Sequence, residues 1–255
     1  MNGMKIEDFY RENPIHEDEA ERIDKSSEID KKGVLYWVIE FIRKYGTHRG
    51  TILDYGGGSG INLDLVSNYV KFDLQVCADI RQPAKKLVGI EYVNGDSSAI
   101  ERYLGERKFD VITLVEVIEH VFDPDDLITR MVRLMRPESL LIITTPNLSG
   151  LINILALILG FQPMDTEVSA QIPYGRPLST QGVVGHIRVF TYRALFQMLS
   201  QHGLEVMDSR TIGRFVKRPQ ASPLISGLYF MDRAFSHMFK WGGSRMIFAC
   251  RLAEK

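Results

Sequence analysis

Carboxylate and imidazole side chains stand together near the middle of the chain, directly after the apolar run Phe109–Val115. Glu116 and Glu119 are three residues apart, and His120 adjoins Glu119. Carboxylate oxygens and imidazole nitrogens together suit a divalent ion, and the same groups transfer protons in general acid–base catalysis. Because His186 precedes a segment that should return to the same edge of a sheet, we expect all four side chains to converge. The pattern leaves open a metal site and a proton-transfer site.

A glycine-rich loop, Asp54–Gly60, follows another apolar run. Glycines suit a backbone that turns sharply beneath a ligand, because they reach positive φ and carry no Cβ. The spacing is not that of a dinucleotide fingerprint, since Leu63 stands where its third glycine would be, and the Gly-Lys-Ser/Thr of a phosphate loop is missing. Asp54, placed before the glycines, would repel a pyrophosphate but would accept a cationic amino-acid ligand.

Two further acidic residues follow predicted strands. The run Leu74–Ala78 ends at Asp79, where a carboxylate can accept hydrogen bonds from both hydroxyls of a ribose. The segment Val93–Ser97 contains Asp96. Because open α/β sheets bind ligands outside the carboxyl ends of their strands, Asp54, Asp79 and Asp96 are expected at one edge.

The Asp54–Gly60 loop resembles motif I of the class I S-adenosylmethionine-dependent methyltransferases, [D/E]-x-G-x-G-x-G. Matches to later family segments follow in order over residues 50–147, ending with Leu140–Asn147, which resembles the fifth strand. The resemblance implies that Asp79 binds the ribose and that Asp96, or the neighbouring Ser97 and backbone, contacts the adenine amine. The implied cofactor is S-adenosylmethionine, and the implied cofactor-binding residues are Asp54, Gly56, Gly58, Gly60, Asp79, Ile80, Asp96, Ser97 and Glu116.

The order Glu116-x-x-Glu119-His120 also resembles the E-x-x-E-H pattern of small-RNA 3′-end 2′-O-methyltransferases and of ubiquinone-biosynthesis O-methyltransferases. That resemblance implies a divalent ion that orients and acidifies a hydroxyl. In the RNA enzymes a further histidine precedes an aromatic residue and a helix cap, and His186 occupies that place here. Many metal-free methyltransferases carry Glu-His after this strand, so a bound metal is not assigned. Glu119, His120 and His186 are the expected catalytic residues in either case.

Composition sets limits on these interpretations. The chain has 255 residues, 45% of them hydrophobic, which can supply a sizeable core. A net charge of −1 argues against a surface that coats nucleic acid. Cys77 and Cys250 lie in apolar strand-like runs, which predicts buried free thiols in a reducing compartment. The charged segment 1–30 has no apolar signal region, so we expect a cytoplasmic protein.

Alternating strand-like and helical runs predict an α/β fold with helices on both faces of a largely parallel sheet. The resemblance specifies a Rossmann-like seven-stranded sheet, parallel with an antiparallel final strand, and an inserted lid region after strand five. We expect an N-terminal arm or lid at 1–32, a cofactor-binding core at 33–147, a substrate-side insertion at 148–190, and the rest of the sheet domain at 191–255. Predicted helices and late strands cover 33–45, Asp123–Leu134, Thr191–His202, Leu204–Thr211, Ile225–Lys240 and Arg245–Leu252.

The segment Leu151–Phe161 is apolar almost all round but too short for the ~20 residues that span a bilayer. It suits a helix buried on the core, a lid over an apolar substrate, or an element that touches a membrane surface. From its position after strand five, we expect a helix that borders the acceptor pocket.

The expected function is methylation of a small or lipid-linked molecule, at oxygen. The alternatives are a metal-assisted RNA 2′-O-methyltransferase and a catalytically silent binding protein with the same fold. Nucleic acid is the less favoured partner, since the sequence lacks a basic tract interleaved with aromatic residues. The acceptor and the oligomeric state remain open at this point.

Overall fold

The computed structural model describes residues 33–47, 49–177, 182–213 and 223–254. In chain order the helices and strands are α1 (Val34–Tyr45), β1 (Thr51–Tyr55), α2 (Ile61–Ser67), β2 (Leu74–Asp79), β3 (Glu91–Asn94), α3 (Ser97–Leu104), β4 (Phe109–Val115), α4 (Pro124–Arg133), β5 (Met135–Pro146), α5 (Leu151–Ile158), α6 (Tyr192–Gln201), β6 (Leu204–Ile212), α7 (Pro223–Met238) and β7 (Arg245–Leu252). A 3₁₀ turn covers Ile118–His120. The arm or lid expected at 1–32 lies outside the described residues.

The strands form one seven-stranded sheet in the order β3-β2-β1-β4-β5-β7-β6. Neighbours from β3 to β5 are parallel, and β7 is antiparallel to both β5 and β6. This is the expected Rossmann-like sheet, with the predicted antiparallel last strand. The carboxyl ends of β1, β2 and β4 therefore meet at one edge, which positions the residues that follow them.

Helices cover both faces of the sheet because residues alternate between two cores. On one face Ile52 and Val111 pack with Phe41 of α1 and Leu63 of α2. The other face buries apolar residues of β1, β4, α3, α4 and α6, among them Leu53, Ile112, Ile100, Met131 and Leu195. Both cysteines, Cys77 and Cys250, are buried free thiols in strands, as predicted.

The predicted helix boundaries follow from local capping. Asp123 accepts a hydrogen bond from Asp126 N at 3.0 Å, with Pro124 in the first turn of α4. Thr191 caps α6 by accepting from Ala194 N, and Gly203 ends the same region at φ 73°. These ends match those predicted from the sequence to within a residue or two.

Two elements differ from their predicted bounds. Strand β5 begins at Met135 rather than at Leu140, because Phe109 of β4 already pairs with Met135, ahead of a register shift that pairs Val111 with Leu140. Helix α5 ends at Ile158 rather than Phe161. There Gly160 takes φ 77° and Phe161 N donates to Ala156 O at 2.8 Å, which closes the helix as a Schellman motif.

The segment between α5 and α6 contains no helix or strand in its described residues, 159–177 and 182–191, as its Gly and Pro content predicts. Side-chain bonds nevertheless hold it against the sheet edge. Asn153 of α5 donates to the Asn147 carbonyl at 3.0 Å, and its Oδ1 accepts from Met164 N. Within the described residues, every helix is too short or too polar to cross a membrane.

Candidate active site

The loop after β1 takes the conformation that its glycines predict. Gly56, Gly58 and Gly60 have φ values of 76°, 56° and 80°. At Gly58 a Cβ would meet only the Arg81 guanidinium at 3.6 Å, so the space above it is open. At Gly56 and Gly60 a Cβ would instead lie 2.6 Å from Val117 and from the Tyr92 hydroxyl. Glycine is therefore required by backbone conformation at all three positions and by packing at two of them.

Asp54 lies beneath this loop and is buried. Its Oδ1 accepts a hydrogen bond from Thr113 Oγ1 at 2.7 Å, and its Oδ2 has no partner among the described residues. A Cβ on Gly57 would come within 2.5 Å of that free oxygen, so the oxygen points at the loop. Burial raises the pKa of Asp54 to about 6, although the Thr113 bond opposes the shift.

Asp79 ties the second strand to the same loop. Its Oδ2 accepts from Gly58 N and its Oδ1 from Arg81 N, each at 2.8 Å. Each carboxylate oxygen keeps a further lone pair, so both can still accept from neighbouring hydroxyls. Asp79 and the adjacent Ile80 line a cavity of about 370 Å³ at the carboxyl edge of the sheet.

The structure separates the two residues that were expected near an adenine. Ser97 lines the cavity, whereas the exposed Asp96 does not. Asp96 is the N-cap of α3 and accepts from Ala99 N at 2.8 Å. A capping role thus accounts for this carboxylate, and Gly95 and Ser97 present backbone and hydroxyl groups to the cavity.

The cavity extends from the loop to the segment after β4. Its wall combines apolar side chains with acids and two arginines. The lining residues are Tyr55, Gly56, Ala78, Asp79, Ile80, Arg81, Gly95, Ser97, Ile100, Glu116, Val117, His120, Val121, Phe122, Asp123, Asp126, Leu127, Arg130 and Val184.

Three of the four residues predicted to converge do so beside this cavity. The ring centroids of His120 and His186 lie 4.9 Å apart. Glu119 Oε1 lies 3.9 Å from His120 Nε2 and 4.0 Å from His186 Nε2. One ligand atom of each residue falls within 4.8 Å of the others, a separation that a single metal ion could occupy.

Backbone carbonyls fix the tautomers of both histidines. His120 Nδ1 lies 3.1 Å from Gly185 O, and His186 Nδ1 lies 2.7 Å from Asp165 O. Since a carbonyl only accepts, each Nδ1 carries a proton, and in its neutral form each imidazole presents the lone pair of Nε2 on the side of Glu119. Metal-bound histidines characteristically donate their other nitrogen to such a carbonyl or carboxylate.

Glu119 is fully buried between these groups. Its Oε2 accepts from Thr145 Oγ1 at 2.9 Å, while its Oε1 has no hydrogen-bond partner in the described structure. Burial, reinforced by the charge of Glu116, raises the pKa of the Glu119 carboxyl well above its ordinary value. Burial also lowers the pKa of His186. With both imidazoles neutral and Glu119 ionised, three electron-pair acceptors would face one another, so this arrangement calls for a cation or a proton between them.

Glu116 lies outside this cluster, contrary to the sequence prediction that it joins the same point. Its carboxylate accepts from Arg245 Nε at 2.9 Å and from Thr144 Oγ1 at 3.1 Å. Glu116 is also the one residue other than glycine with positive φ, 55°, in the described chain. Such backbone strain clusters at ligand sites, and Glu116 does line the cavity.

A family model described as a methyltransferase domain matches residues 32–209. The chain belongs to the class I S-adenosylmethionine-dependent methyltransferases. No curated protein has a significantly similar sequence. The methyltransferase's cofactor is accordingly S-adenosylmethionine.

Solved structures share the fold at low sequence identity. A methyltransferase from Haloferax volcanii, solved in complex with the Trm112 methyltransferase activator, is 10% identical with a TM-score of 0.61, and all of both chains is covered. A methyltransferase structure from Bacillus halodurans is 12% identical, with a TM-score of 0.56, covering 87% of this chain and 99% of the other. The 1,6-didemethyltoxoflavin-N1-methyltransferase of Burkholderia thailandensis is 13% identical with a TM-score of 0.55, covering 96% of this chain and 88% of that one.

Sequence reasoning missed the residues that hold the segment Val184–His186 of the methyltransferase in place. Glu167 accepts hydrogen bonds from the backbone N–H groups of Val184, Gly185 and His186 at 2.7, 2.7 and 3.1 Å, and it pairs with Arg176 at 2.6 Å. Its position inside an irregular segment carries no periodic signal. Arg245 forms ion pairs with both Glu116 and Asp165. The sequence gives no sign of this role, because a single arginine at the start of a strand belongs to no motif.

The apolar helix α5 does not border the methyltransferase's cavity. No residue of Leu151–Phe161 is among the described residues that line it. Instead α5 buries Ile152, Asn153 and Ala156 and contacts α7. The wall next to His120 comes from Val184 and from Val121–Asp123. The argument from this helix for an apolar acceptor therefore loses its basis.

Proposed function

We propose that this methyltransferase transfers the methyl group of S-adenosylmethionine to a hydroxyl oxygen of a small or lipid-linked molecule. One observation carries the proposal: Glu119, His120 and His186 present converging electron-pair acceptors next to the cofactor cavity. Methyl transfer needs a base only when the acceptor carries a proton that must leave, as a hydroxyl does. A site with two unprotonated imidazole nitrogens is suited to that task.

The cofactor side is supported by the loop and the strand ends. Asp79 would accept from the ribose hydroxyls while Gly58 N fixes its carboxylate, and Gly95 and Ser97 would contact the adenine. The unpartnered Asp54 Oδ2 beneath Gly57 and the Glu116 carboxylate would favour the cationic part of the ligand. When bound, S-adenosylmethionine supplies a methyl group activated by the sulfonium charge. The protein's part is to position the acceptor in line with it.

On the acceptor side, His120 reaches the cavity and His186 lies behind it. His120 Nε2, held in its unprotonated tautomer by Gly185 O, would take the hydroxyl proton. A divalent ion held by Glu119, His120 and His186 would supply Lewis acidity to the same oxygen. The two-histidine, one-carboxylate donor set and the free Glu119 Oε1 fit such an ion.

The experiment separates the acceptor class from the catalytic apparatus. The purified chain is incubated with S-adenosylmethionine labelled in the methyl group and with lipid, low-molecular-weight, RNA and protein fractions of a cell extract. We expect label in the lipid or low-molecular-weight fraction as a base-stable ether. Label in protein, or a methyl group attached to nitrogen, would contradict the proposal.

Variants then test the roles of the residues. His120→Ala should lower turnover about 10²-fold or more while cofactor affinity, measured by calorimetry, stays unchanged. Calorimetry with Zn²⁺ and Mn²⁺ should show binding that Glu119→Gln abolishes. Activity that survives exhaustive chelation would assign the histidines to proton transfer and to orientation of the acceptor instead.

RNA 2′-O-methylation is the second candidate, favoured by the position of His186 beside Glu119 and His120. A ribose hydroxyl would demand the same base or ion. Label recovered in the RNA fraction would decide for it. Failure of the chain to bind S-adenosylmethionine at all would instead support a silent binding role.

We place the protein in the cytoplasm, because its buried free cysteines suit a reducing compartment.

A further inference from the structure

Large apolar side chains are exposed at the end of α5 and in the segment that follows. Ile158 and Leu159 are 73% and 69% exposed, and Leu157 and Phe161 also face solvent. Gln162 N donates to Gly175 O at 2.9 Å, so the chain folds back and brings the neighbourhood of Tyr174 beside that of Phe161. The exposed apolar residues of this segment are Val168, Ile172 and Tyr174.

Helix α7 extends this surface. It contacts α5 directly, and its Phe230 and Met238 are 73% and 74% exposed. Phe230, Ala234 and Met238 are spaced four residues apart and so share one side of the helix. We refer to the exposed apolar side chains of 157–174 and of 230–238 as the apolar face. Exposed large apolar side chains concentrated on two helices in contact and on the segment between them mark an interaction site, since scattered single residues would need no explanation.

The exposed charges in the stretches of chain that carry the apolar face have one sign. In residues 151–177 and 223–240, as far as the structure describes them, every carboxylate is turned inward: Asp165, Glu167 and Asp232 are buried against Arg245, Arg176 and Ser244. Arg233 and Lys240 on and after α7 are exposed. The face thus combines apolar side chains with cations and presents no exposed carboxylate within its described part.

We propose that the apolar face docks on the surface of a lipid bilayer that contains anionic headgroups. Exposed apolar side chains on an element that also carries exposed Lys and Arg are the pattern of elements that lie in the bilayer interface. A second copy of the chain related by a two-fold axis would bring the same patch against itself, and the described part of that patch offers no exposed carboxylate to pair with the cations. The charge pattern therefore favours the bilayer over self-association.

The segment that carries part of the apolar face is tied by hydrogen bonds to the acceptor side of the active site. Glu167, inside the same segment, binds the backbone of Val184, Gly185 and His186. Val184 lines the cavity. Docking would therefore place at the bilayer a segment that also positions a residue of the cavity wall. The inference concerns where the enzyme works and stands whatever the methylated atom is.

The test is flotation of the purified full chain with vesicles of phosphatidylcholine alone and with phosphatidylglycerol added. We expect binding to the anionic vesicles at least about fivefold tighter than to the neutral ones, since each basic residue near the surface contributes that much. Added salt should reduce the difference. Equal binding to both vesicles, or no binding to either, would overturn the proposal.

Matched variants locate the contact. Ile158→Glu and Phe230→Glu should each weaken vesicle binding about tenfold or more, the loss expected when one large apolar side chain no longer enters the bilayer. Val88→Glu makes the same change in charge at a fully exposed apolar residue between β2 and β3, and it should leave binding nearly unchanged. Equal loss in all three variants would indicate a general charge effect and refute docking through this face.

Two further measurements keep the outcomes distinct. Cofactor calorimetry and thermal unfolding should be unchanged in Ile158→Glu and Phe230→Glu, because neither residue lines the cavity or the core. Sedimentation without lipid tests the competing occupant. A dimer that both variants dissociate would assign the apolar face to a second copy and overturn the bilayer proposal. The methyltransferase activity could fail its own test without affecting any of these results.

Discussion

His120 and His186 lie with ring centroids 4.9 Å apart although they belong to different segments of the chain. Backbone bonds from Ile187 N and Arg188 N to the Glu119 carbonyl, at 2.9 and 3.1 Å, hold the two segments together. The acceptor side of the site is therefore built by the polypeptide backbone itself. Its geometry should persist when individual side chains of the cluster are replaced, which makes the cluster accessible to mutation.

Asp79→Ala should weaken S-adenosylmethionine binding at least tenfold. The change removes the acceptor for two ribose hydroxyls, and charge-assisted hydrogen bonds of this kind contribute about 1.5–3 kcal/mol each. It also frees Gly58 N, which now donates to that carboxylate. Titration calorimetry measures the effect. Asp73→Ala, an exposed residue just before the opposite end of the same strand, is the control, and equal losses in both would refute the assignment.

Gly58→Ala and Gly89→Ala form a second matched pair. Both glycines have positive φ, 56° and 86°, and neither has a neighbour that an added Cβ would strike. Each change should therefore cost about 1–2 kcal/mol of folding free energy through backbone strain. Only Gly58→Ala should also lower cofactor affinity, because its Cβ would enter the space above the loop. Thermal unfolding and calorimetry together check this, and unaltered affinity in Gly58→Ala would count against the loop as the cofactor cradle.

The sequence predicts the cofactor half of the site better than the acceptor half. Glycine spacing and the acids after β1 and β2 reflect local requirements of backbone and charge, so the positions of Gly56, Gly58 and Asp79 follow from the chain alone. Asp96 shows the limit, since an acid after a strand serves equally as a helix cap. Glu167 and Arg245 act through contacts between distant segments. Neither periodicity nor composition encodes such contacts.

In the presence of a chelator at neutral pH, Glu119→Gln should raise the free energy of unfolding by about 1–3 kcal/mol. Oε1 of Glu119 has no hydrogen-bond partner among the described residues, and an amide N–H at that position could donate to a histidine. The folded-state pKa of Glu119 is raised above its ordinary 4.5. The wild-type protein therefore takes up a proton on folding, and its stability falls as pH rises above about 4.5. The difference between variant and wild type should shrink toward acid pH. Urea unfolding at several pH values measures it, and a pH-independent difference would show that Glu119 does not titrate with folding.

Glu167→Gln should lower methyl transfer while leaving cofactor affinity unchanged. Glu167 does not line the cavity, but its carboxylate accepts from three consecutive N–H groups that end at His186. An amide oxygen accepts these bonds more weakly and no longer balances the buried Arg176 guanidinium. Glu167 is thus a positioning residue, and its loss should broaden or shift the His186 imidazole resonance in nuclear magnetic resonance spectra. If thermal stability falls while turnover and that resonance stay unchanged, Glu167 contributes only to stability, and the backbone bonds from Ile187 and Arg188 to Glu119 must position His186.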